Sequence, residues 1–159
     1  MLRLLFPILL LAFCACQKDR VIDDDAARLR GEYPVQTYII NNDTLFSAGK
    51  INKIGVEDFK VIVSRKSADS LSLGYSWTNK SKQSSVYFRQ LRLSGKDGQY
   101  QLAMSSAAPH FYEGTIFQGV YTERTSLAGL GFVLLPENYP LKDISDPTGG
   151  SIKIIASKQ

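Results

Sequence analysis

Leu71, Leu73, Tyr75 and Trp77 alternate with Ser72, Gly74, Ser76 and Thr78. A period of two sends every large apolar side chain to one face of an extended chain and every small one to the other. A helix would scatter these four large residues around its axis, so a half-buried strand is the arrangement that buries them together. The alternation recurs. Phe59, Val61 and Val63 alternate with Lys60, Ile62 and Ser64, and Tyr33, Val35, Thr37 and Ile39 fall on one face of another stretch. Tyr100, Leu102 and Met104 repeat it, as do Ile152, Ile154 and Ala156 against Lys153 and Ser157. Residues 86–93 and 115–122 are rich in aromatic and β-branched side chains but alternate less cleanly.

Turn chemistry separates these runs. Asn41-Asn42-Asp43, Ser67-Ala68-Asp69 and Asn79-Lys80-Ser81-Lys82 each interrupt one. Ser94-Gly95-Lys96-Asp97-Gly98 reads as a hairpin turn, because glycine accepts the positive φ that tight hairpins require. One short helix is expected, capped by Asp23-Asp24-Asp25 with a body over Ala26 to Arg30. Eight or nine short strands at close spacing imply an all-β fold. Sequential hairpins favour an up-and-down antiparallel barrel of about eight strands, closed to remove its edges; a β-sandwich is the alternative.

The first twenty residues have a different character. Met1-Leu2-Arg3 is a basic start, Leu4 to Phe13 is apolar, and Cys14-Ala15-Cys16 precedes Gln17-Lys18-Asp19-Arg20. A basic, then apolar, then small-residue order is that of a secretory signal. Its apolar run is too short to span a bilayer, which takes about 20 apolar residues. The Ala15-Cys16 pair resembles the lipobox of bacterial lipoproteins, whose cysteine becomes the first mature residue and carries lipid. Ala15 supplies the small side chain that the family needs before its cysteine. Phe13, before Cys14, does not, so Cys16 is the expected lipidation site. Phe13 departs from the usual Leu three places before Cys16. An ordinary secreted protein cut near Ala15 is the alternative. Lys18 beside acidic residues resembles a surface-export signal of one group of Gram-negative bacteria; a solvated tether is the other reading.

The resemblance divides the chain into a signal peptide at 1–15, a tether at 16–25 and a β-domain at 26–159. It implies attachment to the outer membrane through the N-terminal lipid, on the periplasmic or the exposed side. Removing residues 1–15 leaves 144 residues and lowers the net charge from +4 to +3. That length suits one domain. With Cys16 spent on lipid the domain forms no internal disulfide, so its stability must come from its core. Basic residues are scattered rather than clustered, which leaves nucleic-acid binding without a footprint.

A second resemblance lies in Leu29-Arg30-Gly31-Glu32-Tyr33. It is similar to the entry motif of lipocalins and lipocalin-like bacterial lipoproteins, in which a Gly-x-Trp or Gly-x-Tyr opens the first strand. The resemblance implies that Tyr33 plugs the barrel base. Pro34 departs from the pattern, because a proline just inside a strand suits only an edge or a bulge.

Candidate chemistry is sparse. His110 is the single histidine, and neither Ser105 nor Ser106 sits in a nucleophile elbow. A zinc site needs further nitrogen or sulfur ligands, and Asp23-Asp24-Asp25 and the pair Asp143 and Asp146 lack the spacing of a calcium loop. No catalytic residue, metal or cofactor is expected, and the chain reads as a non-enzyme. The 136–150 stretch is a long polar interruption, suited to a solvated connector or to a lid over a pocket mouth. Asp43-Thr44-Leu45 and Asp69-Ser70-Leu71 resemble an O-glycosylation pattern of the same bacterial group. Inward aromatics are the best binding candidates. Tyr75 and Trp77 would line a cavity of several hundred Å3 for a small apolar molecule or lipid, or else fill a solid core. The alternative function is a non-catalytic display domain that contacts another envelope protein or a glycan.

Overall fold

The computed structural model describes residues 22–104, 111–126, 130, 132–139 and 150–158. Cys16, the expected signal segment, most of the expected tether, Ser105, Ser106, His110, Asp143 and Asp146 lie outside the described residues. A helical turn, α1 (Asp25–Arg28), leads into ten strands: β1 (Gly31–Ile40), β2 (Asp43–Ser47), β3 (Ile51–Asn52), β4 (Val56–Ser67), β5 (Ser70–Asn79), β6 (Ser84–Lys96), β7 (Gln99–Met104), β8 (Tyr112–Phe117), β9 (Val120–Ser126) and β10 (Ser151–Ser157). β1 and β4 to β10 pair antiparallel in sequence order, and β10 returns to pair with β1. The result is a closed eight-stranded up-and-down barrel of lipocalin-like form. Closure gives β1 and β10, the two ends of the series, each other as neighbours. β2 and β3 form a side ribbon on β1.

The base of the barrel carries α1, the β4–β5, β6–β7 and β8–β9 turns and the end of β10. The mouth carries the β2–β3 ribbon, the β5–β6 turn and residues 132–139 of the β9–β10 connection. Alternation decides the inner face. Phe59, Val61 and Val63 of β4, Leu71, Leu73 and Tyr75 of β5, and Ile152, Ile154 and Ala156 of β10 are all buried. Burying a side chain of this size contributes about 1.5–3 kcal/mol.

β1 corrects the sequence reading in an instructive way. Tyr33 and Val35 face inward, but so do Tyr38 and Ile40, in place of Thr37 and Ile39. The pairing with β10 shifts register between Val35 and Thr37. One extra residue in a strand moves every later side chain to the opposite face. Pro34 sits at the last β1–β4 pair, just before this bulge, where a missing donor costs least. Beyond it β1 exchanges β4 for β2. Asn52 bridges the resulting gap, donating to the Val56 carbonyl at 2.8 Å and accepting from the Val56 N–H at 3.1 Å.

The uneven alternation of 115–122 has a more local cause. A hairpin turn at Gln118 and Gly119, with φ of 48° and 76°, divides the stretch between β8 and β9. Gly95 is required where it stands. Its φ is +106°, and a Cβ there would lie 2.2 Å from the Gln99 carbonyl oxygen.

Tyr33 plugs the base. It is fully buried, and its hydroxyl donates to the Leu29 carbonyl at 2.8 Å. Asp24 caps α1, accepting from the Ala27 N–H at 2.8 Å, and the same carboxylate clamps Arg65 of β4 at 2.8 Å. Tyr100 donates to Asp25 at 2.9 Å. The helix, with its cap, is thus a lid fixed to the base.

Candidate functional site

Above the apolar base, the barrel interior changes to polar chemistry. Arg89 of β6 and Glu123 of β9 are on the inner face, the glutamate fully buried. The Arg89 guanidinium is hydrogen-bonded to the Glu123 carboxylate and donates to the Tyr75 hydroxyl at 2.5 Å. Tyr75 and Tyr121 donate to the other Glu123 oxygen at 2.6 and 2.5 Å. Their hydroxyls are 3.1 Å apart. Arg89 also lies over the Tyr112 ring, 4.4 Å from its centroid, a cation–π contact. The Tyr112 ring finds its space because position 114 is glycine, where a Cβ would fall 2.3 Å from the Tyr112 oxygen. The Tyr112 hydroxyl itself is buried beside Tyr121 and Arg89 without a hydrogen bond of good geometry.

Burial governs the electrostatics. It pushes the Tyr75 and Tyr112 hydroxyls well above their ordinary value, because a phenolate is poorly solvated there. Tyr121 moves the same way by burial, opposed by the nearby Arg89 charge. Burial works most strongly against the Arg89 charge, and the oxygens of Tyr75, Tyr121 and Tyr112 outweigh it. The cluster therefore holds an ion pair and protonated phenols in a buried interior.

The next layer toward the mouth is aromatic. Tyr75 and Trp77 of β5 face inward, as the alternation predicts. Their rings meet Phe132, which comes from the β9–β10 connection and not from the wall. Phe132 stacks on Trp77 at 5.0 Å with an interplanar angle of 26°, and lies 4.9 Å from Tyr75 and 5.7 Å from Tyr87. Trp77 leads on to Phe59 at 6.5 Å, and Phe59 to Tyr38 and Phe46 at 5.8 Å each. The Leu134 N–H donates to the Tyr38 hydroxyl at 3.2 Å, fixing the connection to the wall. Leu130 is fully buried, and Val133, Leu134, Leu135 and Tyr139 pack against the core.

Comparison with protein families, characterised proteins and solved structures finds no match to this chain. The site must be read from its own geometry. The structure joins Tyr75 and Trp77 in one interior layer with Phe132, Tyr87 and the Arg89–Glu123 cluster. Two surface grooves at the mouth, lined by residues such as Asp43, Lys53 and Glu137, are not lined by Tyr75 or Trp77. Among the described residues no group of three or more His, Cys, Asp or Glu side chains is placed to hold a metal. Thr44 and Ser70 of the two glycosylation-like tripeptides are half-buried, and Asp43 is paired with Lys53 at 2.6 Å.

Sequence reasoning missed Arg89 and Glu123. The signal was present: Arg89 is in phase with Leu91 and Leu93, and Glu123 with Tyr121 and Thr125. A charge on the apolar phase of a strand marks either an outward flip or a buried pair, and these two charges are opposite. Phe132 was equally open to notice, but nothing in the sequence says which wall residues it meets.

Proposed function

We propose that this chain is a non-catalytic lipoprotein of the bacterial outer membrane, tethered through lipid on Cys16, whose barrel holds a small apolar molecule between Trp77 and Tyr75. One observation carries the binding part of this reading: the ring filling the slot belongs to a connecting segment, not to the barrel wall. Phe132 is a replaceable occupant. Trp77 and Tyr75 are carried by β5 and Tyr87 by β6, so the walls of the slot belong to the sheet. Flat apolar molecules suit stacking on Trp77. The Tyr112 hydroxyl, which makes no hydrogen bond of good geometry within the cluster, offers one to a polar edge. A ligand of this kind needs a few polar groups within a mainly apolar pocket, the usual composition of such sites.

Trp77 is the only tryptophan, so its fluorescence reports this site alone. The test uses the full chain and its Phe132→Ala variant, each titrated with 1-aminonaphthalene. Expected is saturable Trp77 quenching in the variant, at least tenfold tighter than in the parent, with native mass spectrometry showing one molecule bound. Unquenched Trp77 in both proteins would refute the binding site. The second reading, a display module, draws on Val86 and Phe88, which stand 50% and 60% exposed on the outer face of β6.

A further inference from the structure

We infer that the base of the barrel is a bilayer-docking face, with the β8–β9 turn seated among phospholipid headgroups. The inference rests on the reading of Cys16 as the lipid-bearing residue. Cys16 is six residues before Ile22, and six extended residues span at most about 20 Å. The chain enters α1 at the base. A lipid on Cys16 therefore holds the base, and not the mouth, against the membrane.

The surface there fits that position. Phe117 and Val120 flank the β8–β9 turn and are 45% and 39% exposed, and Ile22 is 55% exposed. These residues are close to the chain entry. Lys158 links the two, its N–H donating to the Gly119 carbonyl at 2.7 Å and its ammonium to the Arg28 carbonyl at 3.1 Å. A groove of about 610 Å3 opens beside Phe117, lined also by Lys96, Gln99, Gln101 and Thr115. An ammonium and side-chain donors next to an exposed aromatic ring suit a phosphate headgroup above its acyl chains.

The acids at this end are mostly engaged within the protein. Asp23 pairs with Arg28 at 2.7 Å and Asp24 with Arg65 at 2.8 Å, while Asp25 accepts from Tyr100. Asp69 and Asp97 are at the tips of the other two base turns. Contact is therefore expected on the β8–β9 side, where Phe117, Val120 and Lys158 lie. Insertion of two apolar side chains is too weak to recruit a soluble protein. Once lipid anchors the chain, the same insertion is intramolecular and serves to orient the barrel, mouth outward.

The test uses full-length protein from membranes, reconstituted into phosphatidylethanolamine–phosphatidylglycerol vesicles. With the Cys16 sulfur spent on lipid, Phe117→Cys and Phe111→Cys each add a single thiol, to be labelled with the environment-sensitive fluorophore NBD. Phe111 is exposed near the mouth, just before β8. Expected is an NBD at position 117 that is blue-shifted and at least fivefold slower to be bleached by dithionite than one at position 111. Equal bleaching in vesicle-bound protein overturns the docking face while leaving the anchor intact. Protein that fails to float with the vesicles, and that labels at Cys16, overturns the lipid reading beneath it.

Discussion

Arg89 and Glu123 form a buried ion pair, a costly arrangement to hold away from water. Two charges removed from water are tolerated only when each is fully engaged, and removing one partner leaves the other uncompensated. Glu123→Leu is therefore expected to lower unfolding free energy by about 3–5 kcal/mol in urea titrations. The double variant Arg89→Met, Glu123→Leu removes both charges and should be more stable than that single variant. A double variant no more stable than Glu123→Leu would mean that the carboxylate acts through the tyrosines and not through the ion pair. The tyrosines set a second limit, at alkaline pH. Burial pushes Tyr33 up to about 12, and Tyr38, Tyr75, Tyr112 and Tyr121 also lie above the ordinary value near 10. A raised pKa means that the folded state holds the proton more tightly than the unfolded one. The stability this represents is complete below pH 10 and is lost as pH rises from there through the folded-state values. Tyrosinate absorbance should then appear together with loss of circular dichroism. Ionisation of these five groups in a still-folded barrel would contradict their burial.

At the scale of elements, legibility follows how local the cause is. β5 and β10 were readable from their alternation, and β4 over Phe59 to Val63, where it runs between two register shifts. Asp24 was readable as part of a helix cap because capping is a contact across three residues. β1 was readable only in its first half: the bulge after Pro34 depends on β10, about 115 residues further along, and no pattern within β1 announces it. The β8–β9 turn was hidden because Gln118 adopts a positive φ that its residue type does not advertise. The aromatic layer divides in the same way. Tyr75 and Trp77 came from alternation, whereas Phe132 comes from a connection with no periodicity, and its position is a tertiary fact. Gly114 is explained in the same way, by the Tyr112 ring beside it.

The whole molecule depends on one pairing, β10 with β1, because it turns a ten-stranded ribbon into a barrel. β10 contributes Ile152, Ile154 and Ala156, all fully buried, and occupies one edge each of β1 and β9. Without it those two edges are exposed along their length, the condition that leads sheets to pair with other chains. The loss of two buried isoleucines alone, at about 1.5–3 kcal/mol each, is comparable to much of a typical domain's stability of about 5–15 kcal/mol. A chain lacking residues 151–157 is therefore expected to form oligomers on size-exclusion chromatography and to lose near-ultraviolet dichroism. The same geometry predicts rescue. A synthetic peptide of sequence Ser151 to Ser157 can pair with β1 and β9 and return three side chains to the core, as strand addition does elsewhere. Added in excess, it should restore a monomer-sized species with the parent's Trp77 emission, because Trp77 lies in the layer that closure completes. A truncated chain that stays monomeric with unchanged emission would show that β10 seals the barrel without holding it together.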